Sequence, residues 1–306
     1  MSVSGPTPCA LKQASVLQGS IASLPLLPSE SPNTRERLTE AARRRERHDA
    51  RNFEEMRTMC LQTHSLAGAT GSAFVSVGKT KLNCAVYGPR PNTKAASQDR
   101  GSINLEFKYA PFATTSKGAC NERDSAHLVT LLHQAVNAVV RLDLYRKSTI
   151  AVSVLVLEDD GGVISAALTC IGLALADAGI EMLDVLTGAS GCAVALEQPD
   201  GPPRICVLLD PDADERRAFA DKCTVVDLGY CPAQSSACFI HATGPLLASE
   251  SGEQLLRLCE AACYAVADEV RSCLRRSFCL RQEEKGAGVA SQPPQDALSL
   301  STTVGV

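Results

Sequence analysis

The chain has 306 residues, of which 45% are hydrophobic, so it can bury a sizeable core in one large domain or two small ones. A formal net charge of −4 and a pI of about 5.8 exclude a polybasic nucleic-acid binder, although a local basic surface is still compatible with them. Tryptophan is absent and aromatic residues make up 4% of the chain, so base-stacking platforms would be scarce.

The 14 cysteines are predicted to be buried as small apolar side chains, and the protein is predicted to occupy a reducing compartment. They lie inside apolar runs, no signal-peptide pattern precedes them, and no CxxC pair provides a zinc-ligand spacing. Cys259 and Cys263 are four residues apart, but no second pair accompanies them. No apolar run is long enough to span a membrane. We therefore expect an intracellular soluble protein without a metal or cofactor.

Three segments differ in composition. Residues 1–45 are predicted to be a disordered, charged extension, 46–281 a folded domain and 282–306 a disordered polar tail. Within residues 34–57 the charges predict a partly helical arm. A solvated helix is favoured over an arm that touches RNA or a partner, because acidic residues interrupt the arginines.

The folded segment predicts strands and helices in mixed order. From about residue 58, short β-prone runs with glycine turns predict an antiparallel meander, and 102–110 alternates like a further strand. Apolar spacing predicts a helix at 127–140, a strand at 149–157 and a helix at 163–179 that is buried all round. Four more strands and a long amphipathic helix follow, at 184–196, 204–210, 223–230, 236–242 and 253–278. This order predicts one α+β domain with helices packed against mixed sheets.

The segment 157–169 combines two opposite signals. Gly161 and Gly162 end a strand and open a helix, where free N–H groups and the helix dipole favour an anion. The flanking side chains are acidic or apolar: Glu158, Asp159, Asp160, Val163 and Ile164.

Three segments resemble RNase PH-like proteins. Residues 71–90 are similar to the family's Gly-Ser-Ala strand, Gly-x-Thr-Lys turn and Tyr-Gly-Pro-Arg strand end. Residues 47–57 are similar to its Arg-x-Asp-Gly-Arg element, with Ala50 in place of the glycine, and 159–184 to its central strand–helix block. The resemblance implies an α+β RNase PH fold, of the ribosomal S5 domain 2-like type. Its active members degrade RNA from the 3′ end by attack of inorganic phosphate, and they assemble into six-membered rings.

The resemblance also implies that the phosphate site is degenerate. Active members carry Thr-Arg directly after the Gly-Gly, where this chain has Val163 and Ile164. Losing a charge-assisted arginine contact of about 1.5–3 kcal/mol weakens phosphate binding by roughly one to two orders of magnitude. The helix dipole, at about 0.3–1 kcal/mol, cannot compensate. The degenerate site comprises Gly161, Gly162, Val163, Ile164 and Ser165.

The acidic residue that active relatives place before the strand at 223–230 has no clean counterpart. Asp221 lies two residues early and Asp227 lies inside the strand, so we assign a metal to neither. Asp214 and Glu215 are predicted to lie in a charged loop.

Basic residues for RNA contact are sparse. The loop at 114–124, where active relatives hold RNA and phosphate with several basic residues, keeps only Lys117 and Arg123. Arg90 and Lys108 near strand ends are further candidates for RNA contact. For each of the four, a solvated surface charge is at least as compatible with the sequence.

A chain that keeps the RNase PH-like segments but lacks the phosphate-binding and acidic residues of active members resembles the non-catalytic ring subunits of the eukaryotic RNA exosome. Residues 109–113 and 157–162 most resemble the subunit type named for mRNA transport. This implies a hetero-oligomeric ring with other RNase PH-like subunits and RNA-binding cap subunits, which channels single-stranded RNA to a catalytic subunit. It also implies location in the nucleus, nucleolus and cytoplasm, and no membrane partner.

Two alternatives stay open. The first is an active phosphate-dependent 3′-to-5′ exoribonuclease whose missing phosphate ligands come from a neighbouring subunit. The second is a phosphate- or nucleotide-binding metabolic protein that uses the Gly161–Gly162 turn, although neither a Walker Lys-Ser/Thr nor Gly-x-Gly-x-x-Gly accompanies it. Nucleophilic catalysis by Ser165 is disfavoured, because no histidine partner is evident.

Overall fold

A computed structural model describes residues 47, 49, 51–91, 100–113, 122–198, 201–219, 223–244 and 250–289. For 122–125, 196–198, 201–204, 250 and 283–289 only the course of the backbone is described. The predicted extension at 1–45, Lys117 and Asp221 lie outside the described residues.

Five strands form the first sheet: β1 (Met59–Thr63), β2 (Gly71–Val77), β3 (Thr80–Pro91), β4 (Ser102–Tyr109) and β5 (Ser148–Glu158). Their order in the sheet is β1-β2-β3-β5-β4. The predicted meander is confirmed, because β1, β2 and β3 pair antiparallel and β3 pairs antiparallel with β5. The edge strand β4 runs parallel to β5, and the helix α1 (Glu122–Val139) connects the two.

Four strands form a second, antiparallel sheet: β6 (Thr187–Gln198), β7 (Gly201–Leu209), β8 (Cys223–Cys231) and β9 (Ser236–Thr243). Their order in the sheet is β7-β6-β8-β9. The remaining helices are α2 (Val163–Asp177), α3 (Ala213–Ala218) and α4 (Glu250–Val289), with a short 3-10 turn at Leu142–Leu144. The predicted α+β class with mixed sheets is confirmed.

Helix α2 packs between the two sheets, on β2 and β3 at one side and on β6 and β8 at the other. Its sequence is apolar almost all round, which fits burial on every face; Leu168, Ile171, Leu173 and Leu175 are all fully buried. Gly172 permits close approach to the second sheet, because a Cβ there would lie 2.3 Å from the carbonyl oxygen of Leu186. Helix α2 therefore packs closely against the segment that leads into β6.

Helix α4 covers the other side of the second sheet and reaches β1. Leu255, Cys259 and Val270 are fully buried along it, so the predicted amphipathic helix is confirmed. It continues to Val289, through residues that the sequence predicted as disordered tail from 282. Once a helix is anchored by packing, each further residue adds a hydrogen bond even without an apolar face.

The burial of the cysteines and the apolarity of the helices were both predicted from the sequence. Most of the cysteines among them are buried as free thiols, as their apolar surroundings predicted. No helix within the described ranges combines the length and apolarity needed to cross a membrane.

Candidate functional site at the Gly161–Gly162 turn

Both glycines of the turn between β5 and α2 have a positive φ, 86° for Gly161 and 70° for Gly162. L side chains rarely adopt this conformation. A Cβ on Gly161 would lie 3.0 Å from the carbonyl oxygen of Pro211, and one on Gly162 would lie 3.1 Å from Nη2 of Arg57. The glycines are therefore explained by backbone conformation and by close packing against neighbouring protein groups.

A buried ion pair between Arg57 and Asp210 lies against this turn. Arg57 donates to both carboxylate oxygens of Asp210, from Nε at 2.8 Å and from Nη2 at 2.7 Å. It also donates to the carbonyl oxygens of Asp160 and Gly161, at 2.8 and 3.0 Å. Burial acts to raise the pKa of Asp210, but the hydrogen bonds and charge of Arg57 prevail and hold that pKa below its usual value. Arg57 is thus committed to protein partners.

A second buried arginine, Arg47, which precedes Arg57 in the chain, forms a similar ion pair. Arg47 donates to Glu215 from Nε at 2.8 Å and from Nη2 at 2.5 Å, and to the carbonyl oxygen of Leu209 at 2.8 Å. Residues 51–57 of the predicted partly helical arm form an irregular segment with a turn, and most of the arm lies outside the described residues. The backbone there is extended enough for Arg47 and Arg57 to reach the second sheet.

The predicted charged loop around Asp214 and Glu215 is also wrong. These residues lie in the short helix α3, and Glu215 is buried in its ion pair with Arg47. Asp212 and Glu215 form a capping box, in which each side chain accepts from the other residue's backbone N–H. The Asp-x-x-Glu spacing is a helix-start signal that was present in the sequence.

The first turn of α2 offers an anion no positively charged side chain. Val163 is buried in the core and Ile164 packs partly against it. The Ser165 hydroxyl donates to the carbonyl oxygen of Gly162 at 2.8 Å, so its proton is used within the same turn. A Cβ on Gly162 would lie 3.3 Å from Oδ1 of Asp210, so a carboxylate stands beside the start of the helix. This environment is unfavourable for phosphate.

The three carboxylates that precede the turn have separate local roles. Glu158 forms an exposed ion pair with Lys81 at 2.8 Å, and Asp159 accepts from the Gly161 N–H at 3.0 Å. Asp160 lies 3.5 Å from Arg57. Burial raises the pKa of Asp160, the charge of Arg57 lowers it and that of Asp212 raises it, and the net shift is upward.

A row of polar residues crosses the second sheet next to Gly162. Ser190, Asp227 and His241 are direct cross-strand partners on β6, β8 and β9. Asp227 is buried, with Nη2 of Arg216 at 3.7 Å, and neither that nitrogen nor Oδ1 of Asp227 has a hydrogen-bond partner among the described residues. Burial raises the pKa of Asp227, against the lowering effect of Arg216 and His241. Strand alternation could have predicted Ser190, but nothing in the sequence pointed to Arg216.

We expect Asp227→Asn to stabilise the protein near neutral pH. The folded pKa of Asp227 lies above its unfolded value, so the ionised form is disfavoured by folding. The amide should raise the free energy of unfolding at pH 7.5 by about 1 kcal/mol, as for one poorly satisfied buried group. The gain should shrink as the pH falls through the folded pKa and vanish below about 4. Urea unfolding at several pH values measures it; equal destabilisation at all pH values would contradict it.

The predicted RNA-contact residues do not converge. Arg90 is exposed, with its guanidinium 5.6 Å from the ring centre of Tyr87, and Lys108 is exposed and paired with Glu106. Their partners on β5 are Thr149 for Arg90 and Leu155 for Lys108, so the two lie about 20 Å apart along the sheet. The backbone of Arg123 lies in the first turn of α1, while Lys117 lies outside the described residues.

The chemistry of this site is therefore dominated by paired charges. Each of the arginines Arg47, Arg51, Arg57 and Arg216 faces a carboxylate of the chain. Among the described residues, no group of three or more histidine, cysteine or acidic side chains is arranged to hold a metal ion. The arrangement fastens the turn to the second sheet through charge pairs.

Comparisons with known proteins show which family the chain belongs to. The model of the 3′ exoribonuclease family, domain 1, of RNase PH type, matches residues 55–181. The human exosome complex component MTR3 is 32% identical over 270 residues, which cover 83% of this chain and 93% of that protein. The chain belongs to the RNase PH family. The Arabidopsis thaliana exosome complex component RRP41-like is 30% identical over 232 residues, covering 76% of this chain and 85% of that protein.

Solved structures support the fold of this RNase PH family member. The crystal structure of rice Rrp46 aligns with a TM-score of 0.63 and 23% identity, over 75% of this chain and the whole of that one. The residues matched by the family model run from just before β1 to just after α2, so they include the Gly161–Gly162 turn. The predicted RNase PH fold is confirmed.

Proposed function

We propose that this RNase PH family member is a non-catalytic structural subunit of the RNA exosome core ring. It scaffolds the ring and helps to channel RNA to a catalytic subunit, in support of 3′-to-5′ RNA processing and degradation. The observation that carries the proposal is the first turn of α2, where Val163 and Ile164 pack into the protein and Asp210 stands beside Gly162. The cation described beside this turn, Arg57, is paired with Asp210 and is therefore not available to hold an attacking phosphate.

The relatives support the ring assignment. Both curated relatives described above are named exosome complex components, and each is covered over most of its length. The partners in this proposal are other RNase PH-like subunits, RNA-binding cap subunits and single-stranded RNA. We place the protein in the nucleus, nucleolus and cytoplasm, in keeping with RNA processing in each.

The experiment is an affinity purification of the tagged full-length chain from its own cells at moderate salt, followed by mass spectrometry and native mass measurement. We expect several RNase PH-like and cap-type subunits to be recovered in stoichiometric amounts in one assembly. As a control, a tagged chain destabilised by Gly172→Ala should recover less of the assembly. A well-folded chain that stays monomeric and recovers no RNase PH-like protein would contradict the proposal.

A further inference from the structure

The second half of α4 carries an unusual distribution of charge. Five cationic and two anionic residues lie between 271 and 285, a formal net charge of +3 in a chain whose total is −4. Two of its arginines are tied to acids: Arg271 lies 3.4 Å from Asp268 and 3.9 Å from Asp184, and Arg281 pairs with the buried Asp177. The pairs with Asp184 and Asp177 fix the helix to the rest of the fold, whereas Asp268 belongs to the same helix.

The other two arginines, Arg275 and Arg276, are exposed. Neither forms an ion pair or hydrogen bond with any residue that the structure describes. Each has a large exposed apolar side chain one turn further along the helix: Phe278, at 62% exposure, follows Arg275, and Leu280, at 60%, follows Arg276. We call this surface the Arg275–Leu280 face.

The opposite side of the same helical segment is anchored. The thiol of Cys273 donates to the carbonyl oxygen of Leu61 at 3.5 Å, and Ser277 accepts from the Thr63 hydroxyl at 2.8 Å. The Arg275–Leu280 face is therefore presented by a helix held in place against β1, and a ligand would meet a preformed surface.

This face is remote from the degenerate site. Arg281 pairs with Asp177, the last residue of α2, whereas the Gly161–Gly162 turn precedes the first. The 15 residues of α2 separate the two regions by about 20 Å. Any ligand of the Arg275–Leu280 face thus binds independently of the phosphate site.

We propose that the Arg275–Leu280 face binds single-stranded RNA. The guanidinium groups of Arg275 and Arg276, which have no acidic partner among the described residues, contact backbone phosphates, and the exposed Phe278 ring stacks on a base. This pairing of unneutralised cations with an exposed aromatic ring suits a ligand that carries both phosphates and flat bases. An acidic protein segment would satisfy the cations but would leave the aromatic ring without a specific role. The choice of RNA rests on the proposed function, in which RNA passes this subunit.

The first test measures binding of a fluorescein-labelled oligo(A) RNA to the full-length chain by anisotropy over a range of salt concentrations. The double variant Arg275→Gln, Arg276→Gln should bind about 10-fold more weakly at low salt. The slope of log affinity against log salt should fall in magnitude by about 1.4, because two contacts to single-stranded phosphates each contribute about 0.7. Arg257→Gln is the control, since this exposed arginine of the same helix already pairs with Glu253 at 2.6 Å; its affinity should be unchanged.

The second test separates stacking from general apolarity. Phe278→Ala should weaken RNA binding by at least about 5-fold, as loss of one stacked base does, while Phe278→Tyr should retain it. Leu280→Ala should have no effect, because an aliphatic chain does not stack. Equal loss in Phe278→Ala and Leu280→Ala would overturn the stacking assignment.

The outcomes also distinguish this inference from the proposed function. If wild type and the double variant bind RNA equally, the inference is wrong, whatever the chain assembles with. If RNA binding is unchanged but the double variant recovers fewer exosome subunits, the face is a protein interface and the inference is likewise wrong. If the wild-type chain binds RNA through this face but assembles with no RNase PH-like protein, only the proposed function fails.

Discussion

Replacing Asp210 by Asn should lower the free energy of unfolding by about 3–5 kcal/mol, because the substitution leaves the buried guanidinium of Arg57 without its counter-charge. Asn has nearly the same shape as Asp but no charge, so the substitution tests the charge alone. Asp210 has φ of 49°, a left-handed conformation that Asn also tolerates, so backbone strain should not change. Urea unfolding followed by circular dichroism measures the effect, with Asp214→Asn as control. The Asp214 side chain is 57% exposed beside Arg217, so its loss should change stability by under about 0.5 kcal/mol.

The pH dependence gives this prediction a second readout. The pKa of Asp210 is lower in the folded than in the unfolded protein, so its contribution is fully present above the unfolded pKa. The difference between wild type and Asp210→Asn should therefore be constant from about pH 5 to 8 and shrink as the pH falls through the folded pKa. A stability difference that persists at low pH would show that packing, rather than the ion pair, holds the turn.

Replacing Gly172 by Ala should destabilise the protein by about 3 kcal/mol, although the same change inside an ordinary helix stabilises by about 0.5–1 kcal/mol. The sign reverses because the new Cβ would lie 2.3 Å from the carbonyl oxygen of Leu186, a backbone atom that cannot move aside alone. Helix α2 would have to shift away from the second sheet. Thermal unfolding measured by calorimetry and circular dichroism should show a large fall in Tm.

Gly179→Ala is the matched control for this prediction. Gly179 follows α2 with φ of 70°, and a Cβ there meets nothing within 4 Å. Its cost is conformational strain alone, on the order of 1–2 kcal/mol. If Gly172→Ala proves as stable as wild type or more so, α2 does not pack against the second sheet as described.

The sequence predicted the elements whose side-chain pattern is set by a single packing environment. The alternating strand around Leu105, the all-round apolar helix at Leu168 and the amphipathic helix at Leu255 each have a clear periodicity, because each has a single pattern of burial. The sequence also predicted that the Gly161–Gly162 turn opens a helix, and Val163 and Ile164 are the first two residues of α2.

The sequence could not predict the charge pairs that surround the turn. Arg47 and Glu215 are 168 residues apart, and Arg57 and Asp210 are 153 apart, so no local pattern joins them. In isolation the arginines resembled a solvated helix and Glu215 a loop charge. Their burial depends on the second sheet being folded against the first, which is a tertiary effect that overrides local propensity. The distance between Arg90 and Lys108 likewise depends on strand register.

Phosphate-dependent release of nucleoside diphosphates from single-stranded RNA tests the central claim most directly. The purified full-length chain is incubated with labelled poly(A), with and without inorganic phosphate, and the products are separated by chromatography. We expect no nucleoside diphosphate under either condition, because Val163 and Ile164 hold no phosphate and the nearby arginines Arg57 and Arg47 are bound to Asp210 and Glu215. Phosphate-stimulated release of nucleoside diphosphates by this chain would contradict the account, and would mean that the first turn of α2 binds phosphate without a cationic side chain.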